Sequence, residues 1–90
     1  MYVTIMGKRY RLLLVAPSKM PRDASGTCNA PHDTSKTIKI ENGLPEQDSL
    51  RVAIHEIWHA ADWHKDEAYI DRASTDMARI LWRLGWRKNQ

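Results

Sequence analysis

The stretch "HEIWHAADWHKDEAYID", residues 55–71, holds three of the chain's four histidines and five of its eleven acidic residues. Apolar residues recur at helical spacing before and after it, with a break near residues 63–65. The stretch therefore predicts the end of one helix, a short connection and the start of a second helix. Such a connection makes an antiparallel helical hairpin and gathers the ionisable side chains at its closed end.

The helical period begins at Pro45, a residue suited to helix entry. One apolar stripe in the first helix is predicted at Leu50, Ile54, Ile57 and Ala61. A second stripe is predicted at Ile70, Ala73, Met77, Ile80, Leu81 and Leu84. Gly85 is a natural end for the second helix.

The N-terminal half shows the alternation of strands. Residues 2–15 predict a hairpin with its turn at "GK" (7–8), "KTIKI" (36–40) predicts a further strand, and "GTCN" (26–29) allows a short one. We expect one domain over residues 1–90, with 1–44 rich in strands and 45–86 forming two helices. The predicted fold class is α+β, a small antiparallel sheet packed on the C-terminal helical hairpin.

Composition limits the kind of protein. A core of this size leaves little net stability, and the single cysteine, Cys28, excludes an internal disulfide, so a metal ion is the expected additional stabilisation. The chain has no apolar run typical of a signal peptide or a membrane span, and we expect no membrane partner and a cytoplasmic location. The formal charge of +3 is concentrated in residues 7–11 and 79–88. Basic segments attract phosphate backbones, although no nucleic-acid motif accompanies these two.

"HEIWH" (55–59) has the pattern H-E-x-x-H. On a helix, His55 and His59 are four residues apart and project from one face, where they can bind one zinc ion. Glu56 can reach a water on that ion and take its proton. The apolar stripe is angularly offset from this face, which favours a metal site over an ordinary helix surface.

A hydrolytic zinc site needs a third protein ligand and one open position. Glu67 is the favoured ligand, because closure of the hairpin brings the first turn of the second helix against His59. Asp71, four residues later, could accept the free N–H of a ligand histidine. Asp62 is interpreted as a support of the same kind. The other candidates for the third ligand, which stay open at this point, are Asp62, Asp66 and His64.

"HEIWH" followed by "EAYID" (67–71) resembles the gluzincin metallopeptidases, and the whole chain resembles small zinc-peptidase-like proteins of phages and bacteria. The resemblance implies a zincin-like fold, zinc ligands His55, His59 and Glu67, a general base at Glu56 and a histidine support at Asp71. It also suggests His64 as an oxyanion stabiliser. It implies a peptide or protein substrate held along a sheet edge, at "GTCN" or "KTIKI", and a bacterial or phage-infected cytoplasm.

The sequence thus predicts a zinc-dependent hydrolase, most plainly a metallopeptidase that cleaves peptide bonds with a zinc-activated water. The alternative is a non-catalytic, zinc-stabilised basic module that binds nucleic acid or another protein. Glu56 discriminates between them, because a purely structural zinc site has no use for a carboxylate at that position.

Overall fold

The structure is a computed structural model that describes residues 1–88. Its fold is α+β, as predicted: four strands in the N-terminal half are followed by two helices. The strands are β1 (Tyr2–Ile5), β2 (Lys8–Val15), β3 (Gly26–Cys28) and β4 (Thr37–Glu41). The helices are α1 (Glu46–Ala61) and α2 (Glu67–Arg83). No helix within residues 1–88 is long and apolar enough to cross a membrane.

The β1–β2 hairpin turns one residue earlier than predicted. Met6 and Gly7 both have positive φ, at 50° and 76°, and Lys8 already belongs to β2. Two successive left-handed residues match the right-handed twist of the flanking strands, which is why such two-residue turns are common in hairpins. The predicted turn at residues 7–8 was therefore shifted by one position.

The sheet is mixed, whereas a wholly antiparallel sheet was predicted. The strand order is β1-β2-β4-β3, with β1–β2 and β4–β3 antiparallel and β2–β4 parallel. The parallel pair arises because residues 16–36 carry the chain back to the beginning of β2 before β4 starts. A sequence pattern shows where strands lie, but it does not show on which side of a strand a long loop returns.

Helix α1 lies between the sheet and α2. Its buried face carries Val52, Glu56 and Ala60, and the apolar members of this face pack on the sheet residues Tyr10, Ile38 and Ile40. Helix α2 packs against α1 and buries Ile70, Ser74 and Ala78. The layers are thus sheet, α1 and α2, and two sides of α1 are covered.

This arrangement changes the predicted apolar stripes. Ile57 is 41% exposed, and Glu56 occupies the sheet-facing surface of α1 that the stripe was expected to supply. In α2, Ile70 is buried as predicted, but Ile80 and Leu84 are 57% and 71% exposed. The predicted stripes are wrong because they assume one buried side on each helix. Helix α1 is packed on two sides, by the sheet and by α2, whereas α2 is packed only along a narrow side that faces α1.

The helix ends follow their sequence signals. The Asp66 side chain accepts a hydrogen bond from the Tyr69 N–H at 3.2 Å and so caps α2, which fixes where α2 begins relative to α1. At the other end Gly85 has φ +97°, with bonds from Gly85 N–H to Trp82 O and from Trp86 N–H to Leu81 O. This is a Schellman motif, so the predicted stop at Gly85 is confirmed.

Candidate metal and catalytic site

Three side chains from the two helices converge at the closed end of the hairpin. His55 and His59 project from α1 and Glu67 from the first turn of α2, and one ligand atom of each lies within 4.8 Å of the others. The two histidine Nε2 atoms are 3.1 Å apart. Glu67 Oε1 is 3.0 Å from His55 Nε2, and its Oε2 is 3.0 Å from His59 Nε2. The three side chains are therefore close enough to hold one metal ion.

The separations of these atoms suit a small four-coordinate ion. A tetrahedral zinc site with bonds of about 2.0–2.1 Å has ligand atoms about 3.3 Å apart. The two nitrogens are 3.1 Å apart, and each lies 3.0 Å from a different oxygen of Glu67, so each separation is within a few tenths of an ångström of that value. The histidine side chains are 14% and 17% exposed and Glu67 is 63% exposed, so the cluster opens to solvent on the α2 side. Two nitrogens and one carboxylate, with one side open, are one of the donor sets found in catalytic metal sites.

The other ring nitrogen of His55 is also held. Its Nδ1 lies 3.1 Å from Asp71 Oδ1, one turn beyond Glu67 on α2. In the neutral ring this contact places the proton on Nδ1 and leaves the lone pair of Nε2 facing Glu67 Oε1 at 3.0 Å. Two acceptors at that distance repel each other, and either a proton on Nε2 or a metal ion between them removes the repulsion. A metal ion resolves this conflict for all three ligand atoms together.

We expect Asp71→Asn to weaken metal affinity by about 10–100-fold, the usual effect of losing a carboxylate that orients a ligand histidine. The amide no longer supplies the charge that favours the Nδ1–H tautomer of His55. Zinc titration with a competing chelator measures the change. Asp76→Asn is the matched control, because Asp76 is exposed on the same helix and pairs with Arg79. Equal affinities for wild type and Asp71→Asn would contradict the assigned role.

Glu56 lies beside the cluster on the sheet face of α1. It is 7% exposed, and burial raises the pKa of its carboxyl group. The charges of His55 and His59 lower that pKa, and the charge of Glu67 raises it. All three potential ligands therefore act electrostatically on Glu56, so the Glu56 carboxylate lies close to the cluster.

The edge strand β3 closes the site on the side of the sheet. A Cβ built on Gly26 would meet Val52 Cγ1 at 2.7 Å and Glu56 Oε2 at 2.8 Å. A cavity of about 220 Å³ opens beside this contact, lined by Ser25, Gly26, Arg51, Val52, His55 and Glu56. The absence of a side chain at Gly26 thus lets the strand lie directly against the Glu56 carboxylate.

We expect Gly26→Ala to lower the free energy of unfolding by about 1–3 kcal/mol, because the new methyl group overpacks the contact with Val52 and Glu56. Urea denaturation measures this loss. Gly43→Ala is the matched control: nothing lies within 4 Å of its Cβ, but its φ of +88° strains any side chain. Both variants should lose stability, Gly26→Ala by overpacking and Gly43→Ala by backbone strain alone. Unchanged stability of Gly26→Ala would contradict the close contact.

The structure does not bring the other candidate ligands to the cluster. Asp62 is the exposed C-cap of α1, and Asp66 uses its carboxylate to cap α2. His64 is exposed on the connecting turn, and within residues 1–88 it has neither a hydrogen bond nor an ion pair. Burial, reinforced by the Glu56 charge, raises the pKa of Cys28 to about 12, so this residue remains a thiol near neutral pH.

Sequence reasoning missed the role of Gly26. A glycine inside a strand often marks a close approach by another group, and that signal was present in "GTCN".

Comparisons with protein-family models, curated proteins and solved structures found no match. The site is therefore interpreted from its own geometry.

Proposed function

We propose that this protein is a zinc-dependent hydrolase that cleaves peptide bonds. The observation that carries the proposal is the convergence of His55, His59 and Glu67 at 3.0–3.1 Å beside the buried carboxylate of Glu56. An ion-binding cluster alone would suit a structural site. A buried carboxylate next to it, at a cost in desolvation, is better explained by proton transfer.

Zinc is the metal that this donor set favours, because two imidazoles and one carboxylate with an open fourth position are typical of zinc peptidases. His55, His59 and Glu67 would hold it. When bound, zinc acidifies a water molecule and polarises the carbonyl group of the substrate. Its ligands come from both helices, so binding would also fix α2 against α1.

The remaining chemistry belongs to Glu56. Its carboxylate accepts the proton of the attacking water and then delivers that proton to the nitrogen of the leaving amine. Its burial keeps bulk water from competing for the proton, and the cavity lined by Ser25, Arg51 and His55 leaves space for the scissile group. Asp71 holds the ring of His55 in one orientation throughout.

The substrate is proposed to add to the free edge of β3 as an extended strand. Ser25 O accepts from Glu41 N–H, and Asn29 N–H donates to Thr37 O, so these groups face β4. By strand alternation, the N–H and C=O groups of Gly26 and Cys28 face away from β4. They are the main-chain groups that a peptide can pair with, directly beside Glu56. Deuterium exchange at Gly26 and Cys28 should slow when a peptide hydroxamate is added. Unchanged exchange there would contradict this binding mode.

The proposed activity is tested by incubating the zinc-loaded protein with a mixture of unstructured peptides and reading new termini by mass spectrometry. Cleavage should appear with zinc, stop with 1,10-phenanthroline and return when zinc is restored. The Glu56→Gln protein, loaded with zinc in the same way, excludes a contaminating peptidase. Equal cleavage by wild type and Glu56→Gln would contradict the proposal.

A structural zinc site in a binding module is the second candidate. It is favoured by the position of the cluster, whose ligands join α1 to α2 in a chain with a small core. This candidate predicts that zinc stabilises the fold and that the wild-type protein does not cleave peptides. Replacing Glu56 would then change no activity. The two candidates therefore separate in the same assay.

A further inference from the structure

The sheet has a second face that the helices leave open. Val3, Ile5, Tyr10, Leu12, Ile38 and Ile40 belong to the core on the α1 side. Because side chains alternate along a strand, the intervening residues lie on the opposite face. We call this opposite surface the open face. By strand register it carries Tyr2, Thr4, Arg9, Arg11, Leu13, Val15, Thr37, Lys39 and, at the far end of β4, Glu41.

The open face is basic and has hydroxyl groups beside its cations. A cavity of about 360 Å³ on it is lined by Tyr2, Arg9, Arg11, Thr34, Ser35, Lys36 and Thr37. No carboxylate belongs to this lining. Among residues 1–88, the ion pairs within 4.0 Å involve other side chains, so Arg9, Arg11 and Lys36 have no acidic partner at that distance. Guanidinium, ammonium and hydroxyl groups that lie together without a carboxylate are complementary to phosphate.

An aromatic ring lies within the same cluster. Tyr2 pairs directly with Arg11 across β1 and β2, and the guanidinium group of Arg9 lies 4.2 Å from the centre of its ring. The Tyr2 side chain is nevertheless 62% exposed. A flat arrangement of cations around an exposed aromatic ring is the combination that binds the backbone and bases of a single strand.

The other basic segment of the chain is less available. Arg79 pairs with Asp76 at 3.5 Å, and Arg87 donates to Trp82 O at 2.8 Å while its guanidinium stacks on the Trp82 ring. Arg79 and Arg87 therefore have partners within the fold. Of the two basic segments, 7–11 is the one in which both arginines lie on one exposed sheet surface and neither has an acidic partner within 4.0 Å in the described part of the chain.

We propose that the open face binds single-stranded nucleic acid, with Arg9, Arg11 and Lys36 contacting phosphates and Tyr2 stacking on a base. Arg9 and Arg11 are two residues apart on β2 and so about 7 Å apart along the strand, which allows them to contact successive phosphates. The binding does not depend on the metal site, because the two lie on opposite sides of the sheet. The open face would thus anchor the protein on nucleic acid, whichever of the two candidate functions the α1 side has.

Fluorescence anisotropy with a labelled oligothymidylate tests the proposal on the metal-loaded protein. Three phosphate contacts predict that log K falls with log salt with a slope of about −2. In the double variant Arg9→Gln/Arg11→Gln the slope should fall to about −0.7, and affinity at low salt should fall at least tenfold. Tyr2→Leu should weaken binding about tenfold with the slope unchanged, because it removes stacking but no charge.

Arg79→Gln/Arg83→Gln removes the same formal charge from α2 and should leave affinity within about twofold of wild type. Circular dichroism confirms that each variant is folded. The proposal is overturned if the α2 double variant loses as much affinity as the β2 double variant. It is also overturned if a duplex of the same sequence binds as tightly, or if only phosphatidylglycerol vesicles bind.

Discussion

Replacing Glu56 by Gln should abolish the proposed peptide cleavage while leaving the metal site loaded. Loss of a general base typically lowers kcat by about 10²–10⁴-fold, and Gln keeps the size of the side chain beside Gly26. Metal content should be unchanged, because Glu56 does not belong to the cluster formed by His55, His59 and Glu67. Steady-state kinetics with elemental analysis of the same samples measures both quantities.

The same substitution provides its own test of folding. Burial raises the pKa of Glu56 in the folded state, so ionisation of this carboxyl group opposes folding. Its contribution to the stability of the metal-free protein is full below the ordinary pKa of a glutamate and is lost as pH rises through the raised pKa. Urea denaturation should therefore show EDTA-treated Glu56→Gln to be at least as stable as EDTA-treated wild type near neutral pH. A less stable variant would contradict the desolvation cost.

Glu46→Gln is the matched control, since Glu46 is exposed in the first turn of the same helix. It should leave kcat unchanged. Retention of full activity by Glu56→Gln would contradict the assigned base, whereas zinc binding without any cleavage by the wild-type protein would favour the structural zinc module.

Replacing His59 by Ala should remove metal binding and the stabilisation that comes with it. At free zinc about 100 times Kd, binding adds about 2.7 kcal/mol to the wild-type protein. For a domain of this size that raises Tm by about 10–20 °C. The variant should show no such rise, because the His55–Glu67 pair that remains offers only two ligands. Thermal denaturation with and without zinc measures the difference.

His64→Ala is the matched control for His59→Ala. His64 lies five residues later and is exposed on the turn, outside the metal cluster. It should keep the full zinc-dependent rise in Tm. A rise that disappears in His64→Ala, or persists in His59→Ala, would place the metal elsewhere.

Local signals in the sequence were sufficient for the helical half of the fold. The break near residues 63–65 and the stop at Gly85 are set by short-range capping and turn chemistry, and the structure has both. The spacing of His55 and His59 follows from the helix alone. Their contact with Glu67 follows from the short connection between the helices, because that connection places the first turn of α2 against the last turns of α1.

Features that depend on long-range packing were beyond the sequence pattern. The parallel pairing of β2 with β4 depends on the path of a loop, and the burial of Glu56 depends on which side of α1 meets the sheet. The contact between Gly26 and Glu56 joins residues thirty positions apart, and the glycine itself is the only sign of it in the sequence. The open face likewise becomes visible only when strand register places Arg9, Arg11 and Tyr2 together.

The most direct test of the account is the stoichiometry of zinc bound to the purified wild-type protein. The protein is stripped with chelator, dialysed against trace zinc and assayed by elemental analysis beside His59→Ala. The cluster of His55, His59 and Glu67 predicts one tightly bound zinc ion per wild-type chain and none in the variant. A wild-type protein that binds no zinc, or a variant that binds it equally well, would contradict the account.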